Sequence, residues 1–159
     1  MTQSFTIGSL VELDHIARDF ARALRNPLRV YLSGHIGAGK TALTASVLEA
    51  LGYPGVVKSP TFTFIEIYPL PVFAVYHLDL YRLKQPEELE VLGVRDYLEG
   101  EGICFVEWPE RGGKELPPAD IDVTINAADD IRIIDMSSQS NQGEEVLKRL
   151  GRLMHEGRL

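Results

Sequence analysis

The stretch Ser33-Gly34-His35-Ile36-Gly37-Ala38-Gly39-Lys40-Thr41 predicts a phosphate-binding fold, because it fits the pattern G-x-x-x-x-G-K-[ST] at every fixed position. The apolar run Leu28-Arg29-Val30-Tyr31-Leu32 precedes it and is typical of a buried strand, whereas residues 40–51 carry apolar side chains at helical spacing. In such a strand, turn and helix, the glycines let backbone N–H groups approach phosphate oxygens, and the helix directs its positive N-terminal end at the same anion. The sequence therefore predicts a phosphate-binding loop, or P-loop, at residues 33–41.

Two side chains at the end of the P-loop carry the predicted chemistry. Lys40 is expected to reach the outer phosphates of a nucleotide. The Thr41 hydroxyl is expected to complete part of a magnesium shell, since magnesium on nucleotides takes few protein ligands and several phosphate oxygens. The alternative is an ordinary glycine-rich turn before a helix, but the strand and helix on either side favour the P-loop.

Length and composition predict one compact domain over residues 1–159, with 45% hydrophobic residues to fill its core. The 16 basic and 23 acidic residues give a net charge of −7, so any contact with RNA is expected to run through a partner rather than a broad basic surface. The chain has a single cysteine, no signal-like N-terminus and no apolar run near eighteen residues. These features predict a soluble, cytoplasmic protein with no membrane segment.

Two acidic residues follow short apolar runs and are candidates for the catalytic site. Asp79 comes after the run at 72–78, and Glu107 comes after Ile103-Cys104-Phe105-Val106. Open α/β sheets bind their ligands at the carboxyl ends of the strands, where an acid can hold magnesium or orient water. Each acid has a structural alternative: Asp79 could cap a turn or pair with Arg82, and Glu107 could form a strand-end salt bridge.

Three further side chains have more than one interpretation. Thr61 follows Lys58-Ser59-Pro60 in a predicted loop, and it either senses the terminal phosphate, as switch loops do, or belongs to a turn that enters a strand. His77 lies within an apolar run, which favours a sheet residue with satisfied hydrogen bonds over a catalyst. Trp108 either packs in the core or stacks near the site.

A helix is predicted near each end of the chain. Residues 9–24 carry apolar side chains at helical spacing from Leu10 to Leu24, and Ser9 with Glu12 three residues later forms a capping box. This helix is expected to pack on the sheet, and only its position suggests that its start borders the nucleotide base. A last amphipathic helix is expected near the C-terminus.

Strands outside the P-loop region are predicted in two pairs. The segments 62–68 and 72–80 are rich in β-branched and aromatic residues, and the connection Pro69-Leu70-Pro71 favours an antiparallel hairpin. The segments 121–125 and 131–136 are expected to be edge strands. Together with the strand, P-loop and helix, these elements predict an α/β fold.

Five motifs occur in the order in which the TsaE (YjeE) family of bacterial ATPases carries them, and the chain resembles that family over most of residues 30–118. The motifs are Gly34-x-x-Gly37-Ala38-Gly39-Lys40-Thr41, Lys58-Ser59-Pro60-Thr61, Tyr76-His77-x-Asp79-Leu80-Tyr81-Arg82, Pro86-Glu87-Glu88-Leu89-Glu90 and Val106-Glu107-Trp108-Pro109. Each string after the first is weak alone, but five in order are specific.

The resemblance implies a single-domain P-loop NTPase of the α/β class, with a mostly parallel central sheet, antiparallel edge strands and flanking helices. It implies an ATPase that binds ATP with magnesium and takes part in threonylcarbamoyl modification of the adenosine beside the anticodon in certain tRNAs. Members of the family act with two partner proteins, which form a heterodimer and carry the transfer chemistry. The tRNA would therefore be met mainly through these partners.

The resemblance also implies roles for individual residues. Thr41 and Glu107 would ligate magnesium. Glu107, Asp79 and Thr61 form the predicted catalytic set, in which Asp79 supports hydrolysis and Thr61 reports the state of the γ-phosphate. The predicted nucleotide-binding residues are Gly34, Ile36, Gly37, Ala38, Gly39, Lys40, Thr41 and Ala42.

Two positions depart from the family pattern, which usually has an acid in place of His35 and often a second hydroxyl residue in place of Ala42. Neither departure removes a ligand that the phosphate chemistry requires. Two other functions fit the P-loop: a small-molecule kinase, which the lack of an arginine-rich lid segment disfavours, and a nucleotide-gated binding module that does not need hydrolysis. The absence of an N-K-x-D string disfavours guanine specificity.

Overall fold

The computed structural model describes residues 1–157, which form both strands and helices. The strands are β1 (Thr2–Ile7), β2 (Leu28–Ser33), β3 (Ile65–Pro69), β4 (Ala74–Asp79), β5 (Ile103–Glu107), β6 (Ile121–Ala128) and β7 (Ile131–Ser138). The helices are α1 (Leu10–Ala23), α2 (Lys40–Ala50), α3 (Glu88–Leu92), α4 (Arg95–Glu99) and α5 (Asn141–Gly157), with 3-10 turns at Pro109–Arg111 and Gly113–Glu115.

These strands form one sheet in the order β1-β7-β6-β2-β5-β4-β3. The central strands β6, β2, β5 and β4 pair in parallel. The outer pairs are antiparallel: β3 with β4 on one side, and β6 with β7 and β7 with β1 on the other. This topology confirms the predicted α/β fold with a mostly parallel centre, antiparallel edges and flanking helices.

The strands predicted at 121–125 and 131–136 form, but they are not at the edge of the sheet. β6 lies between β2 and β7, and β7 is covered by Thr2–Ile7, which pairs with it residue by residue. The prediction contained no strand before residue 9. The segment Thr2–Ile7 becomes a strand because it pairs with β7, near the other end of the chain. Its own sequence pattern therefore gives little indication of a strand.

The hairpin predicted at 62–68 and 72–80 is antiparallel, as expected, but both of its strands are shorter. Phe64 has a left-handed backbone conformation, with φ of 65°, and its N–H donates to the Pro60 carbonyl. The chain is therefore still in a turn where the first strand was predicted to begin. The Phe62 side chain in this turn is 79% exposed.

Alternation of side chains along the parallel strands divides the core into two faces. On one face, α1, α2 and α5 pack against residues such as Val30 of β2 and Phe105 of β5. On the other face, the short helices α3 and α4 cover residues such as Tyr31 and Val106. Side chains that share a face with Phe105 therefore point towards α2, the helix that follows the P-loop.

Helix α1 begins at the predicted cap Ser9, but the reciprocal bond of Glu12 goes to Gly8, one residue before the position that a capping box uses. Ser9 Oγ accepts from the Glu12 N–H at 3.2 Å, and the Glu12 carboxylate accepts from the Gly8 N–H at 2.8 Å. Leu10, which the helical spacing grouped with the buried residues, is 73% exposed in the first turn. An apolar side chain is thus left uncovered at the start of α1.

Candidate functional site

The P-loop connects β2 to α2 at the carboxyl edge of the parallel strands. Gly37 and Gly39 have φ of 80° and 116°, and a Cβ at either position would lie in open space, so these glycines serve the backbone conformation. Helix α2 begins after Gly39, and within the described residues 1–157 no side chain caps its first N–H groups. Those N–H groups are available to an anion.

Gly34 is needed for a different reason, which is close packing. A Cβ there would lie 2.5 Å from the Ile125 carbonyl oxygen of β6. We predict that Gly34→Ala lowers the free energy of unfolding by about 1–3 kcal/mol, as overpacking typically does. Urea unfolding checks this, with Gly8→Ala as the control because a Cβ at Gly8 meets nothing within 4 Å. Equal unfolding free energies for the two variants would contradict the prediction.

The two predicted acids end adjacent parallel strands. Asp79 is the last residue of β4, Glu107 is the last residue of β5, and the two lie opposite each other in the register. Both share a strand face with Phe105, so they point towards α2. Asp79 is 6% exposed and Glu107 is 3% exposed. The structure thus brings both acids together, buried beside the P-loop.

Glu107 contacts the first turn of α2 directly. Its Oε2 accepts a hydrogen bond from the Thr41 hydroxyl at 2.8 Å. The same oxygen lies 2.6 Å from Nε2 of His77, which is completely buried in β4 two residues before Asp79. His77 is a sheet residue, as predicted, but its hydrogen bonds are not all satisfied, because Nδ1 has no partner among residues 1–157. The sequence also did not indicate that His77 contacts a predicted site residue.

Asp79 is held by its own chain neighbours and by the loop before β3. Its Oδ1 accepts from the Tyr81 backbone N–H at 2.9 Å, and its Oδ2 accepts from the Thr61 hydroxyl at 3.4 Å. Thr61 Oγ1 is also 2.7 Å from Ser59 Oγ. Arg82, the alternative partner of Asp79, lies instead over an aromatic ring, 4.9 Å from its centroid. Thr61 therefore belongs both to a turn and to the neighbourhood of the acids.

The Lys40 side chain folds back over the P-loop. Its ammonium donates to the Gly34 carbonyl and, at 3.2 Å, to the His35 carbonyl. It also lies 4.2 Å from the centroid of the Trp108 ring, and Tyr81 packs against that ring with the centroids 4.9 Å apart. Trp108, for which the sequence left core and site open, is half-buried and belongs to both, since it packs against the core on the face of α3 and α4 and also lines the site. Tyr81 and Trp108 each follow a strand-end acid within two residues. That short spacing is the sequence signal that could have predicted their position at the site.

Burial perturbs the charged groups of the site. Burial raises the pKa of Asp79, the hydrogen bond from the Tyr81 N–H opposes the rise, and the Glu107 carboxylate adds to it. Burial lowers the pKa of Lys40, and the carboxylates of Glu107 and Asp79 oppose that change. Asp79 is therefore a stronger base than an exposed aspartate.

These groups line a cleft of about 330 Å³ at the carboxyl edge of the sheet. The lining residues are Ile36, Gly37, Ala38, Gly39, Lys40, Thr41, Ala42, Thr61, Asp79, Tyr81, Glu107 and Trp108. The structure thus brings together every predicted site residue except Gly34. That glycine lies behind the loop, against β6.

A second cleft, of about 350 Å³, adjoins the first and shares four P-loop and α2 residues with it. Its distinctive lining consists of Ile7, Gly8, Ser9, Leu10, Leu13, Ile125, Asp130, Arg132 and Ile134. Arg132 Nε donates to the Ala38 carbonyl at 3.1 Å, which ties the P-loop to β7. The sequence pointed only to the start of α1 here, because the other walls come from strands far along the chain.

The described residues also limit the kinds of metal site. Among residues 1–157, no group of three or more His, Cys, Asp and Glu side chains is arranged to hold a metal ion. Thr41 and Glu107 offer two oxygen ligands, so a magnesium ion there would take its other ligands from phosphate or water. In the same part of the chain, no helix has the length and apolar character needed to span a membrane.

Comparison with known proteins identifies the family. The family profile described as "Threonylcarbamoyl adenosine biosynthesis protein TsaE" matches residues 7–134. A Haemophilus influenzae protein named tRNA threonylcarbamoyladenosine biosynthesis protein TsaE is 48% identical over 120 residues, which are 76% of each chain. A Bacillus subtilis protein of the same name is 39% identical over 122 residues, again 76% of each chain. The crystal structure of Bacillus subtilis YdiB has a TM-score of 0.82 at 32% identity, covering 96% of this chain and 95% of that one. The chain therefore belongs to the TsaE family.

Proposed function

We propose that this protein binds ATP with magnesium and hydrolyses it in support of threonylcarbamoyladenosine biosynthesis on tRNA. The proposal rests on one observation: Lys40 and Thr41 line the same cleft as the two strand-end acids, beside the P-loop. A cation, a hydroxyl, two carboxylates and free N–H groups are what phosphoryl transfer requires, since its catalysis rests on positioning and on neutralising charge.

The triphosphate would lie along the P-loop. Gly37 and Gly39 leave the backbone unobstructed, and no side chain in the described part of the chain caps the N-terminal N–H groups of α2. The Lys40 ammonium would exchange the carbonyls of Gly34 and His35 for phosphate oxygens, which are charged and therefore stronger acceptors. This exchange needs rotation of one side chain, because the glycines already hold the loop in its positive-φ conformation.

Thr41 and Glu107 would hold magnesium. Both offer oxygen, the ligand atom that magnesium prefers, and the 2.8 Å hydrogen bond between them holds the two side chains side by side in the cleft. Because the Thr41 hydroxyl donates its hydrogen to Glu107, its lone pairs remain available to a cation. When bound, the ion neutralises charge that develops on the phosphate oxygens.

The base and ribose would occupy the second cleft. Its apolar side chains, Leu10 and Leu13 among them, suit the face of a purine, and Asp130 with Arg132 supplies polar groups at its border. The exposure of Leu10 is then accounted for, because the base would cover it. The two clefts adjoin at the P-loop, so a single nucleotide can span both.

Asp79 would act on the attacking water. In hydrolysis the water oxygen bonds to the γ-phosphorus, the bond to the β–γ bridging oxygen breaks, and the proton of the water passes to Asp79. Burial raises the pKa of Asp79, which favours its acceptance of that proton. Thr61 donates to Asp79 and would link the loop at 58–61 to the presence of the γ-phosphate.

The names of the relatives suggest the biological setting, which is threonylcarbamoyladenosine biosynthesis on tRNA. We extend this role to the present chain and place it in the cytoplasm. It would act with the two partner proteins that carry the threonylcarbamoyl transfer and meet tRNA mainly through them. The net charge of −7 supports an indirect contact, because nucleic acid is bound through basic surfaces.

The test combines this protein with the candidate partner proteins, tRNA, ATP and magnesium, and measures ADP release against modified tRNA. We expect repeated turnover of both products only when this chain and ATP are present. Full multiple-turnover modification with a non-hydrolysable ATP analogue would replace the proposal with a nucleotide-gated binding module. Transfer of the γ-phosphate to a small metabolite in a substrate screen would indicate a kinase instead.

A further inference from the structure

The His77 side chain is polar and buried in β4, and among residues 1–157 it has one hydrogen-bonding contact. Nε2 lies 2.6 Å from the Glu107 carboxylate, and Nδ1 has no hydrogen-bond partner among residues 1–157. An ionised carboxylate only accepts hydrogen bonds, so Nε2 donates. In the neutral ring Nδ1 is then an unpaired acceptor in the core.

An unpaired acceptor in the core opposes folding, and an apolar side chain at this position would avoid that cost. Such a side chain occurs two residues earlier on the same strand and face, where Val75 is completely buried in the apolar core. The histidine at position 77 therefore does not improve the packing of the sheet. What it adds is its contact with Glu107.

That contact determines how Glu107 presents its two oxygens. Oε2 is held between Nε2 of His77 at 2.6 Å and the Thr41 hydroxyl at 2.8 Å. Within residues 1–157, both hydrogen bonds of the Glu107 side chain use Oε2, so Oε1 is left for the cleft that Glu107 lines. His77 itself lines neither cleft, so it affects a bound nucleotide through its neighbours, and Glu107 is the cleft residue whose side chain it contacts directly.

We infer that His77 is a positioning residue for the cation site: it fixes the Glu107 carboxylate so that one oxygen holds the Thr41 hydroxyl and the other faces the nucleotide-bound magnesium. This inference rests on the proposed function. Partners that orient a metal ligand are commonly worth about 10–100-fold in metal affinity.

The test compares His77→Phe, which keeps a ring but loses the donor, with His77→Gln, whose amide N–H can replace Nε2–H. Calorimetric titration gives the Kd for ATP with magnesium and with EDTA. The tightening by magnesium is the ratio of the Kd for ATP in EDTA to the Kd with magnesium. In His77→Phe this ratio is expected to fall about tenfold, while the Kd in EDTA is unchanged. His77→Gln is expected to recover most of that loss. A wild-type ratio of the two constants in His77→Phe would overturn the inference.

Two controls separate positioning from stability. Val75→Ala removes buried atoms from the same strand and face, so it should lower the melting temperature without changing the magnesium-dependent tightening. In a Glu107→Ala background, which removes the acceptor of the His77 hydrogen bond, adding His77→Phe should cause no further loss of tightening, because His77 acts through Glu107. An equal loss in Val75→Ala, or fully additive losses in the double variant, would overturn the inference.

A second readout needs no nucleotide. Long-range proton–nitrogen spectra of the imidazole should show His77 as the Nε2–H tautomer, and Glu107→Gln should shift that signal. An Nδ1–H tautomer would overturn the inference. The spectra could show the Nε2–H tautomer while wild-type protein binds ATP equally well with magnesium and with EDTA. That result would refute the proposed cation site but not the hydrogen bond from His77 to Glu107.

Discussion

Lys40→Ala is expected to weaken ATP binding by at least about a hundredfold. It deletes charge-assisted hydrogen bonds to phosphate worth about 1.5–3 kcal/mol each, and a total of about 3 kcal/mol already exceeds a hundredfold in Kd. The fold should survive, because the ammonium contacts carbonyls of its own loop and the face of Trp108 rather than the apolar core. Calorimetric titration with ATP and thermal unfolding of the same sample measure the two expectations.

Lys148→Ala is the matched control for this experiment. Lys148 is exposed on α5, lies 3.8 Å from a Glu144 oxygen and lines neither cleft. The Lys148→Ala variant should therefore bind ATP as the wild-type protein does. Unchanged ATP binding and hydrolysis by Lys40→Ala, in the presence of the partner proteins, would refute the proposed phosphate site.

Substitutions of the two strand-end acids are expected to affect different steps, namely magnesium-dependent binding for Glu107 and hydrolysis for Asp79. Glu107→Gln should weaken the magnesium-dependent part of ATP binding by at least about tenfold, because it neutralises a proposed ligand. Asp79→Asn should change ATP binding by less than about threefold and lower hydrolysis by about 10²–10⁴-fold, the usual contribution of a general base. Titrations with and without magnesium, together with ADP release at saturating ATP, separate the two effects.

Loss of stability should not explain the Asp79→Asn result. Burial raises the pKa of Asp79, so its charge opposes folding, and asparagine can still accept the Tyr81 N–H. The melting temperature should therefore be unchanged or higher. Asp122→Asn is the control, since burial also raises the pKa of Asp122 but this residue lines neither cleft. Stronger loss of magnesium-dependent binding in Asp79→Asn than in Glu107→Gln would exchange the proposed roles.

The meeting of the two acids could be predicted because it depends on a local pattern. An apolar run that ends in an acid occurs twice, and parallel neighbouring strands then bring both acids to one edge, with Asp79 opposite Glu107. Alternation also assigns His77 to the face of Asp79. The hydrogen bond from His77 to Glu107 could not be predicted in the same way. It joins residues 30 positions apart and depends on strand register and side-chain reach.

The parts of the fold that the sequence missed depend on distant partners. The segment Thr2–Ile7 forms its ladder with Ile131–Ser138, and the second cleft draws its walls from the same two ends of the chain. The strand start predicted at residue 62 was also wrong, because it depends on packing against a sheet that the local sequence does not show. Aromatic residues favour strands when they pack on a sheet, whereas Phe62 is exposed and Phe64 is in a left-handed turn.

The contact between Lys40 and Trp108 has an optical consequence. Trp108 is the single tryptophan of the chain, and the Lys40 ammonium lies 4.2 Å from its ring centroid. If that ammonium turns to a phosphate as proposed, the indole loses a neighbouring cation and gains an anion nearby, and its emission should respond to both changes. The protein should therefore report the occupancy of its own site through intrinsic fluorescence, so that binding and release can be followed in real time without a label.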